Sequence, residues 1–424
     1  MSSAIYFVTL FLIYVVKVPI HSKDDFLEIY LVGGAVRDQL LGYPIRERDY
    51  VVVGASPEEM LAQGFRLIGK NFPVFLHPKT QQEYALARTE RKTGPGYKGF
   101  SCYAAPDVTL EDDLQRRDLT INAMAQTSQG DVIDPFQGQK DLASKLLRHV
   151  SPAFSEDPVR ILRVARFMAR FSPLGFRVAR ETMELMKAMV AVGEVKALVP
   201  ERVWQEFSSA LTEPAPQAFI KTLYDCDALA VLFPELQVLY NQYEQIANKT
   251  AAWRHSYLTV LEKATLLTDD PQVRFAAILC DLGKGISEQE TQAGLHIIRA
   301  LCRRYRIPQA YTSLALTSAA YHLLCHRALE LDASSLYILL EKTDAFRQSS
   351  RIEQFLLVCE ADFQAYAGLE SQPYLQKDRV LSALTEAKKV SAKVLKKQGF
   401  SGAMLGKKLV EQRIMAISQF LAIC

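Results

Sequence analysis

Apolar and polar positions along this chain change their period near residue 150. Before that point, short apolar runs bounded by Gly, Pro and Asp predict strands over Ile29–Val32, Tyr50–Val53, Val74–His77, Tyr84–Arg88 and Val132–Asp134. Pro57–Gln63 reads as a helix with Pro57 at its first turn. From Ser151 onward strand signals nearly vanish. Apolar residues then recur at helical spacing, predicting helices over Arg160–Phe171, Arg180–Val192, Glu201–Leu211, Pro216–Cys226 and through the rest of the chain. No fixed-period repeat or low-complexity segment interrupts the pattern. The expected class is α+β, a mixed-sheet head followed by an extended all-α body.

Two segments depart from this scheme. Ala4–Val16 is apolar over about thirteen residues, short of the ~20 needed to span a bilayer, and no Lys or Arg precedes it. It reads as an extension upstream of a domain that begins near Ile29, with a weak membrane anchor as the alternative. Arg91–Gly99 (RKTGPGYKG) reads as a mobile loop placed to close over a ligand.

A length of 424 residues allows two to four domains. Hydrophobic content of 49% and charged content of 23% are ordinary for a globular protein. A net charge of +3 excludes a global basic field, so any surface for nucleic acid must be local. The seven scattered cysteines point to free thiols in a reducing cytoplasm rather than a disulfide framework.

Three motifs carry candidate chemistry. In LVGGAVRDQLLGYPIRERDYVVV (31–53), Gly33-Gly34 breaks a strand and starts a helix, and Glu47 and Asp49 lead into the next strand. A glycine turn at a helix start suits phosphate, and carboxylates two apart face one way and suit a hard cation. In LQRRDLTINA (114–123), Arg116, Arg117 and Asp118 suit a phosphate clamp with a hydroxyl contact, or a surface salt-bridge cluster. In EDPVRILRVAR (156–166), Pro158 opens a helix with Glu156 and Asp157 at its cap, and Arg160, Arg163 and Arg166 follow along one side. An Asp and an Arg one turn apart can accept from and donate to a base edge. The plainer reading is a solvated basic stripe.

In this order and spacing the three motifs, with YALARTERK (84–92) and DPFQGQKDL (134–142) between them, resemble the class II tRNA nucleotidyltransferases, the CCA-adding enzymes. The match is close over roughly 29 to 235 and looser beyond, and is nearest the bacterial form with an appended HD phosphohydrolase domain. The resemblance implies a nucleotidyltransferase-type head over 27–148, a base-recognising neck over 149–228, an HD-like body over 229–330 and a tRNA-binding tail over 331–424, after the extension 1–26. It implies CCA addition to tRNA from CTP and ATP with Mg²⁺. Glu47 and Asp49 would hold two Mg²⁺ ions, Glu83 would be a third carboxylate, and Gly34 and Arg37 would contact the triphosphate. Arg117, Arg163 and Arg166 would grip the nucleotide, while Asp157 and Arg160 would read its base. Many relatives have Asp where Glu47 stands; Glu keeps the charge and adds a methylene.

The body departs from the resembled pattern. His255 fits the first HD ligand, but Cys280 stands where the family has His, beside Asp281. Only His296, His322 and His326 remain nearby in sequence, which reads as a scaffold that has lost hydrolysis. The lysines at 388, 389, 393, 396, 397, 407 and 408 would meet tRNA phosphates. Three alternatives share parts of the pattern: a poly(A) polymerase, a relative adding only CC or only A, and an inactive tRNA-binding paralogue.

Overall fold

A computed structural model describes residues 27–45, 47–68, 73–92, 100–247, 256–283 and 288–423. The apolar stretch 4–16, the loop tip 93–99 and His255 lie outside them. No helix among the described residues is long and apolar enough to cross a membrane.

The N-terminal part holds a seven-stranded mixed sheet. Its strands are β1 (Glu28–Val32), β2 (Asp49–Val53), β3 (Arg66–Leu67), β4 (Val74–Leu76) and β5 (Glu83–Leu86). A separate hairpin of β6 (Thr89–Lys92) and β7 (Phe100–Tyr103) follows, before β8 (Ala125–Gln126) and β9 (Val132–Ile133) complete the sheet. The spatial order is β3-β4-β5-β2-β1-β8-β9. Central β1 and β2 run antiparallel with Val32 opposite Asp49, and β2 pairs in parallel with β5 with Asp49 opposite Glu83. That register sets two carboxylate positions side by side at one end of the sheet. The next residues, Tyr50 and Tyr84, point to the other face, where their rings stack at 4.6 Å. Helices α1 (Gly34–Leu40), α2 (Pro57–Ala62), α3 (Leu110–Gln115) and α4 (Gly138–Ala143) connect the strands. Ser56 and Thr109 close capping boxes at the starts of α2 and α3.

Two local expectations change. Arg91 and Lys92 belong to the β6–β7 hairpin, with Thr89 opposite Tyr103, because the Gly/Pro composition of 91–99 masked the paired strands flanking its tip. After α3 only a single 3₁₀ turn, Thr120–Asn122, follows. Asp118 accepts from the Leu119 N–H and from Asn122, and such side-chain bonds compete with continued helix.

Beyond residue 150 the chain is helical. Helix α5 (Val159–Phe171) buries Ile161, Leu162, Ala165 and Ala169 and turns its arginines to the sheet side. A short parallel pair, β10 (Leu146–Leu147) with β11 (Arg177–Val178), staples the two parts together. Then come α6 (Arg180–Val192), α7 (Pro200–Leu211), α8 (Gln217–Asp225), α9 (Ala228–Leu232) and α10 (Pro234–Ala247). They lead into α11 (Tyr257–Leu267), α12 (Pro271–Leu279), α13 (Glu288–Arg304) and α14 (Gln309–His326). The last helices are α15 (Ala333–Lys342), α16 (Ser349–Gln364), α17 (Leu375–Lys389), α18 (Ala392–Lys397) and α19 (Gly402–Leu421). One apolar core runs unbroken from Ala35 and Val36 through α5 to Leu384 in α17. The fully buried Arg274 ties α12 to the end of α7 by donating to the Leu211 and Glu213 carbonyls.

Candidate active site

Between the sheet end and α5 lies an open cleft of about 650 Å³. Glu47, Asp49, Glu83, Gly34, Arg37, Arg117, Asp157, Arg160, Arg163 and Arg166 all line it. Residues separated by over a hundred positions thus meet in one place.

The glycine turn has a specific reason. Gly33 sits at φ +69, and a Cβ there would stand 2.7 Å from Arg117 Nη1. Only glycine allows both the backbone turn and the close approach of that guanidinium. Arg117 is in turn aimed by Asp113, which is fully buried in α3 and accepts from Arg117 Nη2 at 3.0 Å and Arg116 Nη2 at 2.6 Å. Burial opposes ionisation of Asp113, but Arg116 and Arg117 outweigh it and hold its carboxyl below the usual range.

On the sheet side Glu47 and Asp49 are exposed to the cleft. Asp49 is pushed above the ordinary carboxylate value by partial burial; Arg117 opposes this and Glu47 adds to it. A cation between such groups relieves both causes, so the donor set fits a hard metal. Glu47, Asp49 and Glu83 line the same cleft, although their ligand atoms do not gather within 4.8 Å of one another.

Opposite stands α5. Asp157 is gripped at both oxygens by Arg202 of α7, at 3.1 and 2.8 Å, and also accepts from the Val159 N–H. Arg160 donates to the Ala153 carbonyl at 3.0 Å and the Arg116 carbonyl at 2.5 Å, so it is oriented by backbone rather than by Asp157. Arg163 donates to buried Asp118 at 2.8 Å and Arg166 to Glu206 at 2.6 Å. Burial raises the Asp118 carboxyl, but Arg163 and Asn122 more than reverse this, leaving it well below the usual range.

Arg37 lines the cleft but is held from behind. Its side chain is buried, donates to Asp38 at 2.8 Å and Asn122 at 2.5 Å, and lies against the Phe167 and Phe171 rings. Asp38 is shared with Arg170, so Arg37 braces α1 against α5 with its guanidinium already committed. Reasoning from sequence missed Asp113, Arg170, Arg202 and Glu206. A weak signal existed, since Asp113 lies three and four residues before the arginine pair and Arg202 and Glu206 share one helix face four apart. Their partners, 40 to 45 residues away, left no local trace.

A second polar cluster lies in the body. Cys280, Asp281 and Asp362 are buried and place one ligand atom each within 4.8 Å of one another, the one such group of three or more among the described residues. Asp362, in α16, was not anticipated. Of the histidines weighed from sequence, His326 contacts Asp362 at 2.7 Å, His322 is buried 3.8 Å from Asp281, and His296 is exposed. Cys280 donates its thiol to the Ala277 carbonyl at 3.2 Å. The six described cysteines are free, as expected.

Comparison with known proteins gives the following. A family described as "Poly A polymerase head domain" matches residues 29–148, and one described as "Probable RNA and SrmB- binding site of polymerase A" matches 175–239. The chain is 54% identical to the Multifunctional CCA protein of Nitrosococcus oceani over 403 residues, covering 93% of this chain and 98% of the relative. It is 54% identical to that of Methylococcus capsulatus over 407 residues, covering 93% and 96%. Among solved structures, a CCA-adding enzyme with ATP matches at TM-score 0.62 and 22% identity, over 92% of this chain and 86% of that one. A Thermotoga maritima CCA-adding enzyme complexed with tRNA matches at TM-score 0.59 and 21% identity, over 93% and 88%.

Proposed function

The chain belongs to the multifunctional CCA protein family, and on that premise we propose how its own residues carry out the reaction. The enzyme adds C, C and A to the 3′ end of tRNA from CTP and ATP, releasing pyrophosphate. The observation that carries the residue roles is the parallel register that puts Asp49 opposite Glu83, directly across one cleft from Asp157 and Arg160.

The triphosphate lies against the Gly33–Gly34 turn with Arg117, Arg163 and Arg166 as cations around it. Each of these guanidiniums is already held by a carboxylate, Asp113, Asp118 or Glu206, so little side-chain entropy remains to be lost on binding. Glu47 and Asp49 would hold Mg²⁺, which when bound lowers the pKa of the primer 3′-hydroxyl and offsets charge on the triphosphate. The 3′-oxygen attacks the α-phosphorus in line, forming the new P–O bond as the bond to pyrophosphate breaks. Glu83 faces the same end of the sheet as a further carboxylate.

Asp157 and Arg160 act in place of a template. Cytosine and adenine both offer an exocyclic amino group beside a bare ring nitrogen. A carboxylate has about four acceptor sites, so Asp157 can accept that amino hydrogen while Arg202 still holds it. Arg160 uses two of five N–H donors on backbone and retains others for the ring nitrogen. Uracil and guanine present a carbonyl to Asp157 instead and are repelled. Lys393, Lys396, Lys397 and Lys407, exposed in the tail over 331–424, supply salt-dependent contacts to tRNA phosphates. The body keeps its fold without hydrolase activity.

The test is Mg²⁺-dependent incorporation of labelled CTP and ATP into tRNA lacking its 3′ end. Ordered incorporation of both supports the reading. ATP alone identifies a poly(A) polymerase, one step alone a CC- or A-adding relative, and tRNA binding without incorporation a non-catalytic paralogue.

A further inference from the structure

A second cavity, of about 480 Å³, opens at the corner between α13 and α14. Arg299, Arg303 and Arg306 form its rim, with Cys302 and Ile307 as an apolar floor and Gln309 at the α14 side. Among the described residues no acidic side chain lines it. Three features set this corner apart from an ordinary solvated face.

Arg299 and Arg303 are like charges one helical turn apart, an arrangement that disfavours a helix. Among the described residues neither has a hydrogen-bond or ion-pair partner, although carboxylates hold Arg116, Arg117, Arg163, Arg166, Arg170 and Arg202 in the cleft. The helix C-terminus favours cations in its last turn, which accounts for Arg303 and Arg304 but not for Arg299, a turn further back. Second, Arg306 has φ +52. It occupies the left-handed position just past the helix, where the Ile307 N–H returns to the Cys302 carbonyl at 2.9 Å and glycine is the usual residue. A non-glycine residue in the left-handed region brings its Cβ too close to the following carbonyl oxygen. Yet the long cationic side chain stands there, on the cavity rim. Third, Arg306 pairs with Glu201 of α7, beside Arg202 on the cleft wall. Both partners are more than half exposed, so that pair contributes little and can give way to a stronger anion. The corner is therefore tied to the same helix, α7, that carries Arg202 on the cleft wall.

We propose that Arg299, Arg303 and Arg306 form a phosphate pocket for the backbone of the RNA substrate, outside the transfer cleft. The proposal rests on the CCA-adding reading for the identity of that RNA. Helix α7 joins this corner to the cleft wall through Glu201 and Arg202, and guanidiniums with unused N–H forks are the groups that grip RNA phosphates. The contact carries no sequence information; it sets register and affinity.

The experiment uses the full chain with Arg299→Ala/Arg303→Ala and, in parallel, Arg299→Lys/Arg303→Lys. Binding of tRNA lacking its 3′ end is measured over a range of salt, with CTP kinetics at saturating tRNA and thermal unfolding alongside. The alanine pair should bind tRNA about tenfold more weakly near physiological salt, with a log–log salt slope shallower by roughly 1.4–1.8. Its kcat, KM for CTP and Tm should stay as in the wild type, and the lysine pair should recover most of the slope. Unchanged affinity and slope overturn the pocket. So does weaker binding that follows a fall in Tm and is not recovered by lysine. If the wild type itself fails to extend tRNA, the transfer reading is lost; if it extends normally while the alanine pair binds equally well, only the pocket is lost.

Discussion

The cleft keeps Glu47 and Asp49 in contact with water and holds its arginines in pairs at its edge, whereas the body seals Cys280, Asp281, His322 and Asp362 inside a helical bundle. Both regions concentrate titratable groups, but solvent access separates them. A carboxylate that must take a cation and release it needs water and open coordination positions. A buried acid instead needs permanent partners, because an unpaired polar group in a dry interior is costly. Asp362 has one in His326, which also meets the Tyr374 hydroxyl at 2.9 Å. The cleft offers its carboxylates to solvent, and the body cluster encloses its own within the bundle.

Asp49→Ala tests the open side most severely. Removing this carboxylate should lower kcat for CTP incorporation by on the order of a thousandfold or more, since metal-assisted charge stabilisation is worth several kcal/mol. Binding of tRNA, carried by distant cations, should change less than twofold in a filter-binding assay. Turnover near the wild-type rate would remove Asp49 from the metal site.

The next effect separates the cleft's surface from its buried support. Asp113→Ala leaves Arg117 without its carboxylate and Arg116 with Glu90 alone, at 2.9 Å, and breaking such a buried pair costs about 3–5 kcal/mol. Calorimetry should show a clear fall in Tm. The Asp113 carboxyl lies below its unfolded value, so its stabilisation is present above about pH 3.9 and is lost as pH falls toward the folded value. The Tm gap between wild type and Asp113→Asn should therefore narrow in acid. A gap independent of pH would mean that shape, not charge, holds this corner.

These two residues also show what the sequence reveals and what it hides. Asp49 was legible because strand alternation, a glycine turn and two acids are local signals, and the α5 arginines were legible because helical spacing is local too. Asp113, Arg202 and Glu206 were not, because each matters through a partner brought near only by the packing of α3, α5 and α7. Arg37 was legible as part of a motif, but nothing in LVGGAVRD shows that Phe167 and Phe171 will pack against it. The β6–β7 hairpin was hidden for a compositional reason, its strands being four residues each around a Gly/Pro tip.

Asp157→Ala probes selection rather than rate. Losing one partner of a two-point base contact costs about 1–3 kcal/mol of discrimination, so UTP misincorporation relative to CTP should rise roughly 5- to 150-fold. Arg202→Lys keeps the charge but not the two-pronged grip, and should give a smaller rise in the same direction. Competition assays with all four nucleotides measure both. An unchanged CTP preference in Asp157→Ala would mean that the base is judged elsewhere in the cleft.

The smallest change is expected at Cys280, and it decides whether the body is a second open site in disguise. The thiol is fully buried and bonded to its own helix, so Cys280→Ala should cost about 1 kcal/mol of stability through lost packing. CCA addition should stay within twofold of wild type. Metal-stimulated hydrolysis of 2′,3′-cyclic or 2′-phosphates should be near background in both proteins, because a thiol, two acids and His322, all sealed from water, give a substrate phosphate no way in. Robust hydrolysis by the wild type that disappears in Cys280→Ala would mean that the bundle opens to admit substrate. Burial in the resting fold would then no longer distinguish a scaffold from a catalyst, and the contrast between the two regions would become one of gating.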